Sequence, residues 1–110
     1  MVWQKSMDLV DEVYTLVRFL PKEEMFALSS QMRRAVVSIP SNIAEGYERK
    51  SKKEYIHFLS VAKGSRAELE TQLLICIRQG YLSAEKTDKA FGLSNEVGKI
   101  LNILINKENS

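Results

Sequence analysis

Apolar residues recur along this chain at the three-and-four spacing of helices, and no stretch alternates with the period of two that marks a strand. The sharpest pattern is Met32, Val36, Ile39 and Ile43, at steps of four, three and four, which places them on one face of a helix. Gln31, Arg34, Ser38, Asn42, Glu45 and Arg49 form a polar second face. Val37, Ser41 and Ala44 fall on a third side, small enough for another helix to approach closely. Pro40 lies inside the pattern, lacks an N–H for the carbonyl of Val36 and crowds that turn, at a cost of about 3 kcal/mol in a helix interior. A break would reset the apolar phase, and here the phase runs through. One kinked helix is therefore expected, with Ser38, Ser41 and Asn42 as candidate partners for the freed carbonyl.

The other elements follow in order. Trp3, Met7, Val10, Val13, Tyr14, Val17 and Leu20 give a first helix an apolar stripe that ends at Pro21. Pro21 to Glu24 reads as a single turn with proline at its start. Ser29 or Ser30 should cap the second helix, which runs to about Glu48. Ser51 with Glu54 three residues later is a capping box that opens a third helix. Its face is Tyr55, Phe58, Leu59, Ala62, Leu69, Leu73 and Cys76, and Gly80 is its C-terminal cap. Leu73 to Ile77 is apolar all round, so burial on every side is expected there. Ser83 caps a fourth helix with the stripe Ala90, Leu93, Val97, Ile100, Leu101 and Leu104, and Asn106 to Ser110 should fray.

These elements predict an all-α fold: an antiparallel up-down four-helix bundle with a Pro-kinked second helix, one domain over residues 1–110. A bundle has one inside, yet the third helix needs cover on several sides and the second offers a small-residue flank. Homo-oligomerisation accounts for both, with Val37, Ser41, Ala44 and Ile75 as interface candidates. The alternative is that the extra face packs on the N-terminal turn or stays partly exposed.

Composition narrows the setting. With 110 residues, 45% of them hydrophobic and 27% charged, the chain has ordinary soluble-globular proportions. One cysteine cannot form an internal disulfide, which favours a reducing compartment. No apolar run approaches the roughly 20 residues of a membrane span, and the acid-bearing start does not resemble a signal peptide. A cytoplasmic protein is the expectation. A net charge of +2 is too weak to imply nucleic acid, so the distribution of charge matters more.

Candidate chemistry is sparse. His57 and Cys76, each the sole residue of its type, fall on different sides of the third helix, so no nucleophile–base pair or metal cluster converges. Glu54 and His57 have the spacing of a di-metal bundle motif, but the second copy is missing and a capping Glu54 explains it. Arg66 and Glu70, four apart, read as a helix ion pair, and Gly64 as a close helix crossing. No catalytic, metal or cofactor-binding residue is assigned. Arg49, Lys50, Lys52 and Lys53 put four positive charges in five residues, with Arg33, Arg34 and Lys63 on the adjoining helices. They are either a solvated turn or, multiplied around an oligomer, a phosphate-binding field.

Three strings, Gln31 to Ala35, Ser38 to Gly46 (SIPSNIAEG) and Ala67 to Leu73, resemble the 23S rRNA intervening-sequence proteins, also labelled ribosomal-protein-like, and the likeness extends over nearly the whole chain. The resemblance implies a four-helix bundle that forms homopentameric rings, with some members encoded within rRNA-gene insertions. It also implies kinship with accessory proteins of retroelements, which bind nucleic acid and a reverse transcriptase, and it carries no catalytic residues to transfer. Three functions are therefore weighed, and the third, an unrecognised enzyme, has no visible dyad or metal cluster to support it. The first is a non-enzymatic, oligomeric nucleic-acid-binding accessory protein preferring RNA, with phosphate contacts from the seven cations above. The second is a homo-oligomeric protein-interaction scaffold.

Overall fold

The computed structural model describes residues 1–109 and consists of four α-helices: α1 (Val2–Val17), α2 (Leu28–Tyr47), α3 (Lys52–Arg78) and α4 (Ala84–Asn109). A short 3-10 turn, Lys22–Glu24, follows Pro21 in the link between α1 and α2. Each helix packs on two neighbours: α1 on α2 and α4, and α3 on α2 and α4. Paired contacts give the directions. Lys5 and Glu12 of α1 meet Glu96 and Lys89 of α4, while Met32 and Ser38 of α2 meet Cys76 and Ser65 of α3. In both pairs one partner's number rises as the other's falls, so these neighbours run antiparallel.

The core is the meeting of four stripes. Met32, Val36, Ile39 and Ile43 are all fully buried, as their spacing predicts, and α2 passes through Pro40 as one helix. The Asn42 side-chain amide donates to the carbonyl of Ser38 at 2.7 Å rather than to that of Val36. Leu59, Ala62, Leu69, Leu73 and Cys76 of α3 and Ala90, Val97 and Leu101 of α4 complete the interior. At the end of α3, Leu74 is 52% exposed and Ile75 40%, so the all-apolar run is covered on one side only, contrary to expectation.

α1 departs further from its sequence reading. Its core stripe is Val2, Leu9, Val13, Leu16 and Val17, with Ser6 buried among them and bonded to the carbonyl of Trp3. Trp3, Met7 and Tyr14 face outward, and Val10 is half-buried. The helix carries two apolar stripes at similar spacing, and only one can face three other helices.

Helix ends follow local chemistry at three of the sites named above. Ser51 Oγ accepts the Glu54 amide at 3.1 Å, Ser83 Oγ accepts the Lys86 amide at 3.0 Å, and Gly80 turns the chain with φ +78°. α2 is the exception. It starts one residue before Ser29, which is buried, and Glu24 Oε1 accepts the Leu28 amide in place of a serine cap. The other carboxylate oxygen of Glu24 accepts the Tyr81 hydroxyl at 2.9 Å, clasping the α3–α4 turn to the start of α2. The expected fraying of Asn106 onward is not seen, since α4 runs to Asn109; Ser110 lies outside the described residues.

Gly64 is exposed with open space around it, so it marks no crossing. Gly46 and Gly98 do. A Cβ on Gly98 would sit 2.7 Å from Nε and 2.8 Å from Cζ of Arg66. Arg66 Nη1 donates to Glu70 Oε2 at 2.7 Å and to Ser94 Oγ at 3.2 Å, while Ser94 donates to Glu70 at 3.0 Å. This α3–α4 seam is a three-residue polar network seated over a glycine, more than the simple helix pair expected from the spacing. Gly98→Ala should gain about 1 kcal/mol of helix propensity but lose more by displacing the guanidinium, for a net destabilisation of about 1–2 kcal/mol. Denaturant titration of Gly98→Ala and of its double with Arg66→Ala measures this, and additive single-site losses would show that the two positions do not couple.

Cys76 packs its Sγ 3.6 Å from Met32 Sδ. Burial pushes its thiol up to about 11, and the Glu24 carboxylate adds to the push. Folding therefore opposes ionisation of the thiol: that contribution is complete below the ordinary 9.0 and is lost as pH climbs through about 11. The hydrogen bond to Glu24 raises the Tyr81 hydroxyl in the same direction. Native protein at pH 8 should resist a thiol-labelling reagent that modifies the urea-unfolded chain at once. Equal labelling rates in the two states would contradict the burial of Cys76.

Candidate nucleic-acid interface

The end of α2, the turn after it and the start of α3 place Arg49, Lys50, Lys52 and Lys53 together, all exposed. The turn is short because Gly46 lets α3 come close: a Cβ there would stand 3.3 Å from Phe58 Cβ. Arg49 is the most fixed of the four. It pairs with Glu45 at 3.1 Å, and its guanidinium lies 4.8 Å from the centre of the Phe58 ring. Lys52 and Lys53 line a shallow concavity with Ile56, Glu108 and Asn109, so the C-terminal part of α4 borders the same patch. Lysines at the first positions of α3 sit against the positive end of its dipole, a placement that does nothing for the helix and leaves the charges facing outward.

Two tyrosines flank the cluster that the sequence reading did not single out. Tyr47 and Tyr55 stack with ring centroids 6.0 Å apart, and Tyr47 is more than half exposed. Burial raises the Tyr55 hydroxyl above its usual pKa, with Tyr47 and Glu108 contributing. Their signal in the sequence was position: one aromatic on each side of a basic turn.

The remaining cations predicted for this site lie elsewhere. Arg33 and Arg34 lie 14 and 13 residues before Tyr47, the last residue of α2, roughly 21 and 20 Å along the helix from the end that leads to Arg49 at 1.5 Å per residue. Lys63 is exposed about 16 Å along α3 from Lys52 by the same measure. Four of the seven cations are thus brought together, and three are not. Arg66 turns into the α3–α4 seam.

Val37, Ser41 and Ala44 are exposed. With Trp3, Met7, Val10 and Pro40 they line an open apolar groove between α1 and α2. The outward stripe of α1 and the small-residue flank of α2 therefore form one surface. Ile75, on α3, is not part of it. His57 is exposed beside Phe58, and among the described residues no three His, Cys, Asp or Glu side chains gather in a way that could hold a metal ion. Among the described residues no helix is long and apolar enough to cross a membrane.

The signature of the family of 23S rRNA-intervening sequence proteins matches residues 1–103. A solved structure from Bacteroides thetaiotaomicron, a protein of unknown function from the S23 ribosomal protein family, superposes with a TM-score of 0.88 at 29% identity. The likeness covers 96% of this chain and 98% of that one. No curated protein matches significantly.

Proposed function

We propose, from the premise that this chain belongs to the 23S rRNA-intervening sequence protein family, that it is a non-enzymatic RNA-binding accessory protein acting in the cytoplasm as a homo-oligomer. The observation that carries the reading is the exposed Arg49–Lys53 cluster beside the stacked Tyr47 and Tyr55. Cations that track a phosphate backbone and an aromatic face that accepts a base are the two components of single-strand binding. One such turn is a modest patch. The apolar groove lined by Trp3, Met7 and Val37 supports self-association, because monomers seldom leave such a surface open. A ring of five, the state the family resemblance implies, repeats the basic turn around its axis and builds a field that one copy lacks.

The groove also favours a second reading, a homo-oligomeric protein-interaction scaffold without nucleic-acid binding. Light scattering and RNA titration together discriminate. The expected result is a particle of several times 12.6 kDa whose affinity for single-stranded RNA drops steeply between about 50 and 200 mM salt. An oligomer with no RNA or DNA affinity at about 50 mM salt would turn the assignment to the scaffold. A monomer at high micromolar concentration would remove the ring.

A further inference from the structure

The opposite end of the bundle holds a second concentration of positive charge, and it surrounds a pocket. Arg18 closes α1, Lys22 opens the 3-10 turn, and Arg33 projects from the second turn of α2. All three line one concavity of about 240 Å³ whose floor includes Val17, Pro21 and Ser29. No acid lines it, and none of the three cations is among the ion pairs of the described residues. Like charges gathered without a counter-charge repel one another, and an anion in their midst relieves this.

Ser29 adds an independent indication. The residue is 4% exposed, lines the pocket, and its hydroxyl has no hydrogen-bond partner among the described residues. Among the described residues only Arg66 Nε and Gln72 Oε1 are fully enclosed without a partner, so the Ser29 hydroxyl opens onto the pocket and is free to donate to a ligand there. Ser29 also lies in the first turn of the 20-residue α2, where backbone N–H groups lack intrahelical acceptors. Glu24, the carboxylate at this helix start, is engaged by the Leu28 amide and the Tyr81 hydroxyl and does not line the pocket.

We propose that this pocket is a phosphate-binding site. Arg18, Lys22 and Arg33 supply the charge, and the Ser29 hydroxyl with the Ser29 and Ser30 amides, which Glu24 and Ala27 leave unengaged, supplies directed donors. A tetrahedral oxyanion suits the arrangement, since it presents several acceptor oxygens to donors arriving from three chain segments. The site is independent of the basic turn at the other end and stands whether or not that turn binds RNA. Its phosphate has two possible sources, a small phosphorylated molecule or a nucleic-acid backbone.

Amide and side-chain NMR shifts of the full chain, followed during titration with inorganic phosphate at constant ionic strength against chloride, test it. Saturable shifts centred on Ser29, Ser30 and Arg33 are expected. Arg33→Gln should weaken phosphate affinity about tenfold or more, through the loss of one charge-assisted hydrogen bond. Ser29→Ala should weaken it by a smaller factor. Lys22→Gln, on an exposed turn where folding is not at stake, should also reduce it. Reversing Lys50, Lys52 and Lys53 to Glu should leave phosphate binding unchanged. Single-stranded RNA that displaces the phosphate identifies the backbone as the source, and RNA that leaves it in place identifies a small ligand. Phosphate shifts no larger than those with chloride, or unchanged affinity in both Arg33→Gln and Lys22→Gln, would overturn the proposal.

Discussion

Leu73→Ala should lower the free energy of unfolding by about 2–5 kcal/mol, the range for emptying a fully buried leucine site. Leu73 has no exposed surface and sits on the stripe of α3 that also carries Leu69 and Cys76. α3 packs against both α2 and α4, so a cavity there loosens two seams at once. Against a typical total stability of about 5–15 kcal/mol, such a loss brings the chain close to unfolding. Leu74, one residue on and 52% exposed, provides the contrast: the same substitution there should cost far less. A denaturant-midpoint change below about 0.5 kcal/mol for Leu73→Ala would place Leu73 outside the core.

Reversing Lys50, Lys52 and Lys53 to Glu should abolish most RNA affinity while leaving the fold intact. All three side chains are exposed at the α2–α3 turn, and Lys50 lies outside both helices. Helical circular dichroism should barely move, since such surface substitutions usually cost within about 0.5 kcal/mol. Glutamates at the start of α3 even suit its dipole better than lysines do. Binding responds differently. Every cation that ceases to neutralise a phosphate of single-stranded RNA lowers the slope of log affinity against log salt by about 0.7. Three reversals per subunit should therefore flatten that slope for every sequence alike. A triple variant that binds as wild type would move the RNA interface off this turn. The cations around Arg33 would then be the place to look.

What the sequence made legible was chemistry that acts over a few residues. The Ser51 and Ser83 caps, the positive-φ Gly80 and the α2 phase through Pro40 all depend on neighbours within one turn. The misreadings share a cause. Trp3, Met7, Val10 and Tyr14 have as regular a spacing as Leu9, Val13 and Leu16, and periodicity says that a face is apolar without saying what covers it. Glu24 replaced the serine cap of α2 from only four residues before Leu28, and the Tyr81 hydroxyl that also holds its carboxylate comes from 57 residues away, a pairing the string does not announce. Gly64 and Gly98 look equivalent in a string, and only the path of Arg66 distinguishes them. For the basic site the sequence gathered too much. Arg33 and the basic turn are separated by about 21 Å of helix, a distance that counting residues already contains.

The arrangement of seams also bears on how fast the bundle forms and in what order. Three of the four helix–helix contacts join sequence neighbours, α1 with α2, α2 with α3 and α3 with α4, across short links. Loop closure for such pairs costs little entropy, and folds built from them reach the native state quickly. The α1–α4 contact is different: its Lys5–Glu96 pair spans 91 positions, and it can close only when the other three seams have brought the helices around. Mutations there should chiefly accelerate unfolding and leave the folding rate untouched, while mutations between α2 and α3 should slow folding itself. The first and last helices thus act as a latch, whose strength sets how long the native bundle persists rather than how soon it appears.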